Sequence, residues 1–404
     1  MNFKKEQLMK LKLSILILIT IFVNYACINK KIMASNTTEQ LKAKLHKLFD
    51  ESNLPGFSVV VANDKEIVFQ QSYGFADLLT KKPYSNNTVH NIGSVSKTFI
   101  ALALMQSVER GLLNLDDSIN KYLPFEVNNP YFPNRPITLR HLASHTSGIT
   151  DDESYLKSYV FDNPSHINLE KFDKDTQKFF VEVKKHKLID ESEFLENVLS
   201  NKGQWFTKNN FSNTPAGEKY QYSNIGATLA AYVIEQVTGI KYEDYVKNNI
   251  FTPLNMLQSS WSKSKINKSS FATRYLPNNI VVPDYHLVTK ADGAIVTNTT
   301  DMANYISEML NGFNGNGEIL SAKHYKEMFT IKEFKNKGVA IFWSENKSGN
   351  LQHSGADPGI LTILAINPKK NIGLFFMTNI SADEDDELIK SVKKIFQILK
   401  GHNW

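Results

Sequence analysis

Apolar positions near the start of the chain recur first with the period of a helix and then with that of strands. Within residues 41–52 they fall three or four apart, which predicts a helix with one buried face. The runs "PGFSVVVAND" and "KEIVFQQSYGFAD" follow, joined at Asn63-Asp64, and predict a β-hairpin. The later run "VSKTFIALALMQSVERG" is apolar on nearly every side and ends at Gly111, so we predict a buried helix.

Strand patterns return near the end of the chain. Four apolar runs are separated by turns: "GVAIFWSE", "NLQHSG", "ILTILAINP" and "NIGLFFMTN". The segment "DEDDELIKSVKKIFQILK" then closes the pattern as an amphipathic helix. It is acidic at its start and basic at its end, as the helix dipole favours.

The middle of the chain, from about 112 to 335, is typical of helix and loop with few strand signals. We therefore predict one α+β domain over 40–404, with an antiparallel sheet built from both chain ends, flanking helices and a mostly helical insertion. A highly charged segment, 151–206, lies within this insertion. Its charge density favours a solvated pair of helices over the alternative that it shapes substrate access.

Residues 1–27 have the pattern of an export signal. Four lysines precede the apolar run Leu13–Val23, which suits a signal peptide and is short for a bilayer span. Cys27 follows the small residue Ala26, as lipoprotein processing requires, but Asn24 stands where an aliphatic residue is usual. A lipid anchor at Cys27, cleavage after Ala26 and an uncleaved anchor all stay open. We expect a protein of the periplasm or cell surface, with membrane association through its N-terminus only and 28–39 as a polar spacer.

Composition narrows the class of protein further. The 404 residues are 42% hydrophobic and 22% charged, enough for a sizeable buried core. The net charge of +5 is spread along the chain rather than gathered in a patch, so we expect no nucleic-acid partner. Cys27 is the only cysteine, so no disulfide can form within one chain and the core alone must hold the fold.

A serine and a lysine one helical turn apart open the predicted buried helix. Ser94 and Lys97 would share a face of it, and a buried lysine can take the proton of an attacking hydroxyl. The helix N-terminus would also favour a developing oxyanion at Ser94. The same Ser-x-x-Lys spacing occurs elsewhere without a small-residue turn and an apolar helix after it, and we expect nearly all of these serines on a solvated surface. They are Ser118, Ser154, Ser260, Ser262, Ser344 and Ser391.

A Tyr-x-Asn motif, which could supply a second basic group, occurs twice. Tyr84 lies in the turn-rich "TKKPYSNNT", where we expect only a partly exposed aromatic. Tyr222 lies in "PAGEKYQYSNIG", and Asn224 opens a well-patterned helix there, either as a functional group or as a simple N-cap.

A basic residue followed by Ser-Gly also occurs twice. Lys347 begins the first copy, in "SENKSGN", which is typical of a solvent-exposed turn. His353 begins the second, which ends a predicted strand and fits a strand edge facing a cleft. The backbone N–H of Ala356 could then provide an oxyanion donor beside that of Ser94.

Taken in order, these motifs resemble the beta-lactamase-related serine hydrolases. That group holds class C beta-lactamases, D-alanyl-D-alanine carboxypeptidases, D-aminopeptidases and some esterases. The resemblance covers about 40–400 and implies a beta-lactamase/transpeptidase-like fold. The matching motifs are "GSVSKTF", "ITLRHLASHTSGI", "PAGEKYQYSNIG", "PLNM", "DGAIVTNTTDMANYI" and "HSGADPG".

The resemblance implies an acyl-enzyme mechanism that needs no cofactor. Ser94 would attack a carbonyl while Lys97 and Tyr222 manage the proton, with the acylation base left open between them. Backbone N–H groups of Ser94 and Ala356 would hold the oxyanion, and water activated through Tyr222 would release the product. The residues expected to bind a small-molecule or peptide substrate, possibly from the cell wall, are Asn224, His353, Ser354 and Gly355.

His353 is the departure from this pattern, because class C beta-lactamases usually carry lysine there as a permanent cation. Histidine is only partly charged at pH 7, which weakens attraction for a beta-lactam carboxylate. We therefore expect a hydrolase of D-amino-acid peptides, esters or related amides. A class C-like beta-lactamase and a slow penicillin-binding sensor or scaffold are the alternatives. His141 and His145 are four apart, but no third ligand supports a metal site, and none is expected.

Overall fold

The computed structural model describes residues 37–335, 337–381 and 386–404, in two compact units. The smaller unit holds 37–53 and 390–403, and contains helix α1 (37–50) and most of the last helix, α11 (Asp386–Lys400). The larger unit is 54–389 with Trp404. The predicted export signal, residues 1–27, and Cys27 lie outside the described residues. Within these ranges, the structure has no helix that is long and apolar enough to cross a membrane.

The main sheet of the larger unit joins the front of the chain to its end, as predicted. Its nine strands are all antiparallel to their neighbours, in the order β10-β11-β12-β13-β14-β15-β1-β2-β3. The strands are β1 (Gly56–Ala62), β2 (Ile67–Asp77), β3 (Lys82–Pro83), β10 (Lys332–Phe334), β11 (Lys337–Val339), β12 (Ser344–Glu345), β13 (Leu351–Asp357), β14 (Ile360–Asn367) and β15 (Ile372–Thr378).

Helices, loops and short two-stranded ladders fill the chain between β3 and β10. The helices are α2 (Lys97–Glu109), α3 (Leu139–Ala143), α4 (Lys174–Val183), α5 (Glu191–Leu199), α6 (Asn224–Thr238), α7 (Tyr242–Val246), α8 (Lys290–Gly293), α9 (Thr299–Phe313) and α10 (Ala322–Met328). The ladders pair β4 (His90–Asn91) with β9 (Val296–Thr297), β5 (Tyr159–Phe161) with β8 (Tyr285–Leu287), and β6 (Tyr275–Leu276) with β7 (Ile280–Val281).

Helix α2 is the buried helix that the sequence predicts. Every residue from 97 to 107 is buried, because the run is apolar on all sides and is covered all round. Phe99 stacks on Tyr305 of α9 with ring centroids 4.3 Å apart, and α6 packs alongside. A 3-10 turn, Gly93–Ser96, leads into α2 and fixes where Ser94 stands against the sheet.

The structure differs from the expectations at two of the predicted elements and at Tyr84. The run "GVAIFWSE" is not one strand, because Phe342 takes φ +52° between β11 and β12 and Ala340 N–H closes a turn on the Trp343 carbonyl. Tyr84 is 5% exposed rather than partly exposed, and its hydroxyl lies 2.9 Å from His90 Nε2. Segment 151–206 does form two helices, α4 and α5, but each has a buried apolar face, so it is not simply a solvated pair.

Candidate active site

Lys97 is held from three directions beside Ser94. Its side chain is 0% exposed, and Nζ donates to Ser94 Oγ (3.0 Å), Asn224 Oδ1 (2.6 Å) and the Asp292 carbonyl (2.7 Å). An ammonium group has three protons, so these acceptors satisfy all of them. The structure thus brings the predicted Ser94, Lys97 and Asn224 together. It also adds the Asp292 backbone carbonyl, which no sequence motif could indicate.

The start of α6 shows that Asn224 is not an N-cap. Ser223 caps the helix by accepting from Gly226 N–H at 2.8 Å. The Asp151 carboxylate accepts from Ser223 Oγ and from the N–H groups of Asn224 and Ile225, at 3.0, 2.6 and 3.1 Å. Because these groups satisfy the helix end, the Asn224 side chain is available to Lys97.

Tyr222 lies over this group, with its ring centroid 5.1 Å from Lys97 Nζ. Burial raises the pKa of the Tyr222 hydroxyl, and the Lys97 charge and hydrogen bonds with Lys97 and Ser94 oppose that rise. The His145 ring stacks on Tyr222 with centroids 4.3 Å apart, and its Nδ1 accepts from Ser223 N–H at 3.2 Å. Burial lowers the pKa of His145, so this ring is neutral at pH 7.

His141 and His145 do not form the helical pair considered as a metal site. Helix α3 ends at Ala143, and His145 takes φ +53°, so the two rings do not share a helix face. His141 Nδ1 accepts from Thr138 N–H within a capping box. In the ranges that the structure describes, no three His, Cys, Asp or Glu side chains are arranged to hold a metal ion.

The turn that carries Ser94 packs directly on the strand that carries the His-Ser-Gly motif. A Cβ on Gly355 would lie 2.1 Å from the Ile92 carbonyl oxygen and 2.9 Å from Ser94 N. Gly93 takes φ +52°, and a Cβ there would lie 3.0 Å from Ala356 N. Thr362 Oγ1 donates to the Ile92 carbonyl at 2.7 Å and so ties β14 to the same turn. Only glycine allows this approach, which brings the backbones of Ser94 and Ala356 together.

His353 lies on β13, close to Tyr222. Its Nδ1–H donates to the Ser354 carbonyl at 2.8 Å, and the Tyr222 ring centroid is 6.3 Å away. Burial and the Lys97 charge lower the pKa of His353, so it is neutral at pH 7 rather than partly charged. Lys347, which begins the other Ser-Gly copy, is exposed in the predicted solvent turn.

Two buried carboxyl groups that sequence reasoning missed adjoin the site. Asp292, whose carbonyl accepts from Lys97, is 1% exposed, and burial raises the pKa of its carboxyl to about 7. Asp357 directly follows Ala356 and is 7% exposed, and burial raises its pKa as well. Both lie in motifs that carry the resemblance, but nothing in the sequence indicates that their carboxyl groups are buried.

The chain is similar along most of its length to known proteins. A family model described as Beta-lactamase matches residues 38–394. Protein flp of Staphylococcus aureus (strain COL) is 24% identical over 363 residues, which are 89% of this chain and 66% of that protein. Penicillin-binding protein 4* of Bacillus subtilis (strain 168) is 25% identical over 393 residues, 90% of this chain and 76% of that one. The chain thus spans about two thirds of the length of protein flp.

Solved structures share the fold. An octameric penicillin-binding protein homologue from Pyrococcus abyssi superposes with a TM-score of 0.70 at 24% identity, covering 90% of this chain and 78% of that one. A penicillin-binding protein from Bacillus halodurans gives 0.65 at 22% identity, covering 88% and 99%. The fold and the family predicted from the motifs are therefore confirmed. The chain belongs to the beta-lactamase family, whose members are usually serine hydrolases.

Proposed function

We propose that the chain is an active-site serine hydrolase that forms an acyl-enzyme through Ser94. The supporting observation is the setting of Lys97, whose Nζ lies 3.0 Å from Ser94 Oγ. Its other two acceptors, Asn224 Oδ1 and the Asp292 carbonyl, carry no proton that could be transferred. The hydroxyls of Ser94 and Tyr222 are therefore the groups with which Lys97 can exchange a proton.

In the proposed reaction, Ser94 Oγ forms a bond to the substrate carbonyl carbon and its proton passes to Lys97. The N–H groups of Ser94 and Ala356 stabilise the oxyanion. The raised pKa of Tyr222 keeps its phenol protonated at pH 7, so Tyr222 can donate to the leaving group as the carbonyl–leaving-group bond breaks. Lys97 returns a proton to Tyr222. Water then attacks the acyl carbon, the ester bond to Ser94 Oγ breaks, and the water proton passes through the same pair to Ser94 Oγ.

The substrate that fits best is a D-amino-acid peptide, an ester or a related amide. A beta-lactam carries a carboxylate that a fixed cation would bind, and the neutral His353 provides none. A relative named as a penicillin-binding protein supports penicillin as a further compound that the site could bind, so penicillin is included in the test below. The signal-like residues 1–27 further support export of this activity to the periplasm or cell surface, with Cys27 as the candidate lipid anchor.

The test uses the full chain and its Ser94→Ala variant against fluorescent penicillin, nitrocefin, short-chain nitrophenyl esters and acyl-D-Ala-D-Ala peptides. We expect turnover of an ester or peptide, lost by several orders of magnitude in Ser94→Ala. Ser118→Ala is the matched control, because Ser118 also precedes a lysine by three residues and that lysine, Lys121, is exposed.

The outcomes separate the candidate functions. Fast nitrocefin turnover would instead identify a class C-like beta-lactamase. Stable labelling by penicillin without turnover of any substrate would identify a slow penicillin-binding sensor or scaffold. Full activity in Ser94→Ala would contradict the nucleophile itself.

A further inference from the structure

A short segment of the charged insertion reaches two parts of the active site at once. It consists of the 3-10 helix Glu153–Ser158 followed by β5. Strand β5 pairs with β8, so that Tyr159 lies opposite Leu287 and Phe161 opposite Tyr285. Side chains two apart on a strand share a face, which places Tyr159 and Tyr285 diagonally on the same side of this ladder.

Tyr155 contacts the residue that anchors Lys97. Its hydroxyl donates to Asp292 Oδ2 at 3.1 Å, and Thr228 Oγ1 donates to the same oxygen at 3.2 Å. A buried carboxyl needs such donors, because burying it without partners would be costly. The Asp292 carbonyl accepts from Lys97 at 2.7 Å, so a fixed Asp292 side chain also fixes an acceptor of Lys97.

Tyr159 contacts the residue that follows Ala356. Its hydroxyl donates to Asp357 Oδ1 at 2.7 Å, while Tyr285 and Asn91 donate to Oδ2 at 2.6 and 3.2 Å. Asp357 is the last residue of β13, directly after Ala356. These bonds therefore hold the end of the strand that presents the Ala356 N–H to the cleft.

Ring contacts join the two tyrosines into one unit. Tyr155 and Tyr159 meet edge to face with centroids 6.0 Å apart, and Tyr159 meets Tyr285 at 5.6 Å and Phe179 of α4 at 5.5 Å. Aromatic pairs at these separations attract each other and restrict ring motion. The insertion thus connects the Lys97 side of the site to the Ala356 side through two hydroxyls on one short segment.

We propose that segment Glu153–Phe161 is a brace that sets the spacing of the catalytic groups, with Tyr155 and Tyr159 as positioning residues. Tyr155 holds the side chain of Asp292, whose backbone carbonyl orients Lys97. Tyr159 holds the end of the strand that presents the Ala356 donor. This inference rests on the proposed function, since it assigns Lys97 and Ala356 their parts in acyl transfer. It also gives the charged insertion a role in catalysis that its sequence does not indicate.

The test compares Tyr155→Phe and Tyr159→Phe in the full chain, each of which keeps its ring and loses one hydroxyl. We expect kcat to fall by about tenfold or more in each, with KM changed by less than about threefold, because small misplacements of catalytic groups lower kcat steeply. Tyr122→Phe is the matched control. Tyr122 also donates to a carboxylate, Asp117, at 2.6 Å, and both residues lie outside the site, so its kcat should be unchanged.

Values of kcat per mole of folded enzyme show whether the two hydroxyls position catalytic groups or only stabilise the fold. A purely structural role would lower the melting temperature and the folded fraction while leaving kcat per folded molecule intact, and that result would overturn the brace. Wild-type kcat in both variants would overturn it too. Asp357→Asn, which keeps only one oxygen acceptor, provides a second test and should also lower kcat. Failure of the proposed function is distinct, because Ser94→Ala would then retain activity.

Discussion

Replacing Gly355 by alanine should separate the two backbones that form the proposed oxyanion site. The new Cβ would lie 2.1 Å from the Ile92 carbonyl oxygen, 2.6 Å from Thr362 Oγ1 and 2.9 Å from Ser94 N. Real Cβ atoms essentially never approach a heavy atom within 3.0 Å, so Ile92 or β13 must shift by roughly 0.9 Å. Two of the three contacts are backbone atoms and cannot rotate away.

This shift should lower kcat more strongly than it lowers the stability of the fold. Misplacing a reacting group by about 1 Å can lower the rate about 10²-fold, and losing one oxyanion donor costs about 10² to 10³. We therefore expect kcat of Gly355→Ala to fall by about 10² to 10³. Overpacking costs about 1–3 kcal/mol of unfolding free energy, so the variant should still fold.

The assay measures kcat and the melting temperature on the best substrate of the hydrolase panel. Gly373→Ala is the control on the same sheet, because its Cβ would lie 2.4 Å from Ile306 Cγ2, a side-chain atom. Gly373 pairs with Ile366, at the end of β14 away from Thr362, which pairs with Gly355. Gly373→Ala should lose stability and keep kcat. If Gly355→Ala retained kcat within about threefold of the wild type, the assignment of Ser94 and Ala356 as oxyanion donors would be refuted.

Three further variants test the charges of the site. Lys97→Arg should lower kcat by about 10³ or more in steady-state assays, because a guanidinium cannot accept the serine proton; activity near wild type would exclude Lys97 as the base. His353→Lys should speed acylation by fluorescent penicillin about tenfold, equivalent to about 1.4 kcal/mol, and an unchanged rate would contradict a role for this charge. Asp292 has its pKa raised to about 7, so the native state keeps its proton while the unfolded state ionises above pH 4. Stability contributed by Asp292 is full at low pH and declines up to about pH 7. We therefore expect the unfolding free energy of Asp292→Asn, relative to that of the wild type, to rise by about 3 kcal/mol as the pH increases from 5 to 8. Chemical unfolding at each pH measures this difference.

The sequence predicts the parts of the fold that have strong and extended patterns. The apolar runs that predict α2 and β14 are long enough to be unambiguous, and both elements are present. The outer strands of the sheet are two or three residues long, too short for a period to show, and Phe342 breaks a run that looks continuous. The sheet therefore has more strands than the apolar runs indicate.

The candidate site divides in the same way between motif residues and the groups that hold them. Ser94, Lys97, Tyr222 and His353 belong to recognisable motifs, so sequence order was enough to select them. The Asp292 carbonyl has no side-chain signature, and the hydroxyls of Tyr155 and Tyr159 come from a segment whose charge suggests only solvent. The positions of these groups depend on tertiary contacts, which no local sequence pattern shows.

Burial is what separates Ser94 from the other serines that precede a lysine by three residues. Lys97 is fully buried, whereas the lysines that follow the other serines are exposed or partly exposed: Lys121, Lys157, Lys263, Lys265, Lys347 and Lys394. Ser154 is itself buried, contrary to the expectation for most of these serines, but its contact is Asn210 rather than a lysine. A solvated ammonium group on a flexible stem is mobile, while the buried Lys97 is fixed by its three acceptors beside the Ser94 hydroxyl. The run "TFIALALM" thus does more for the proposed chemistry than the tetrapeptide spacing, because it takes Lys97 out of water.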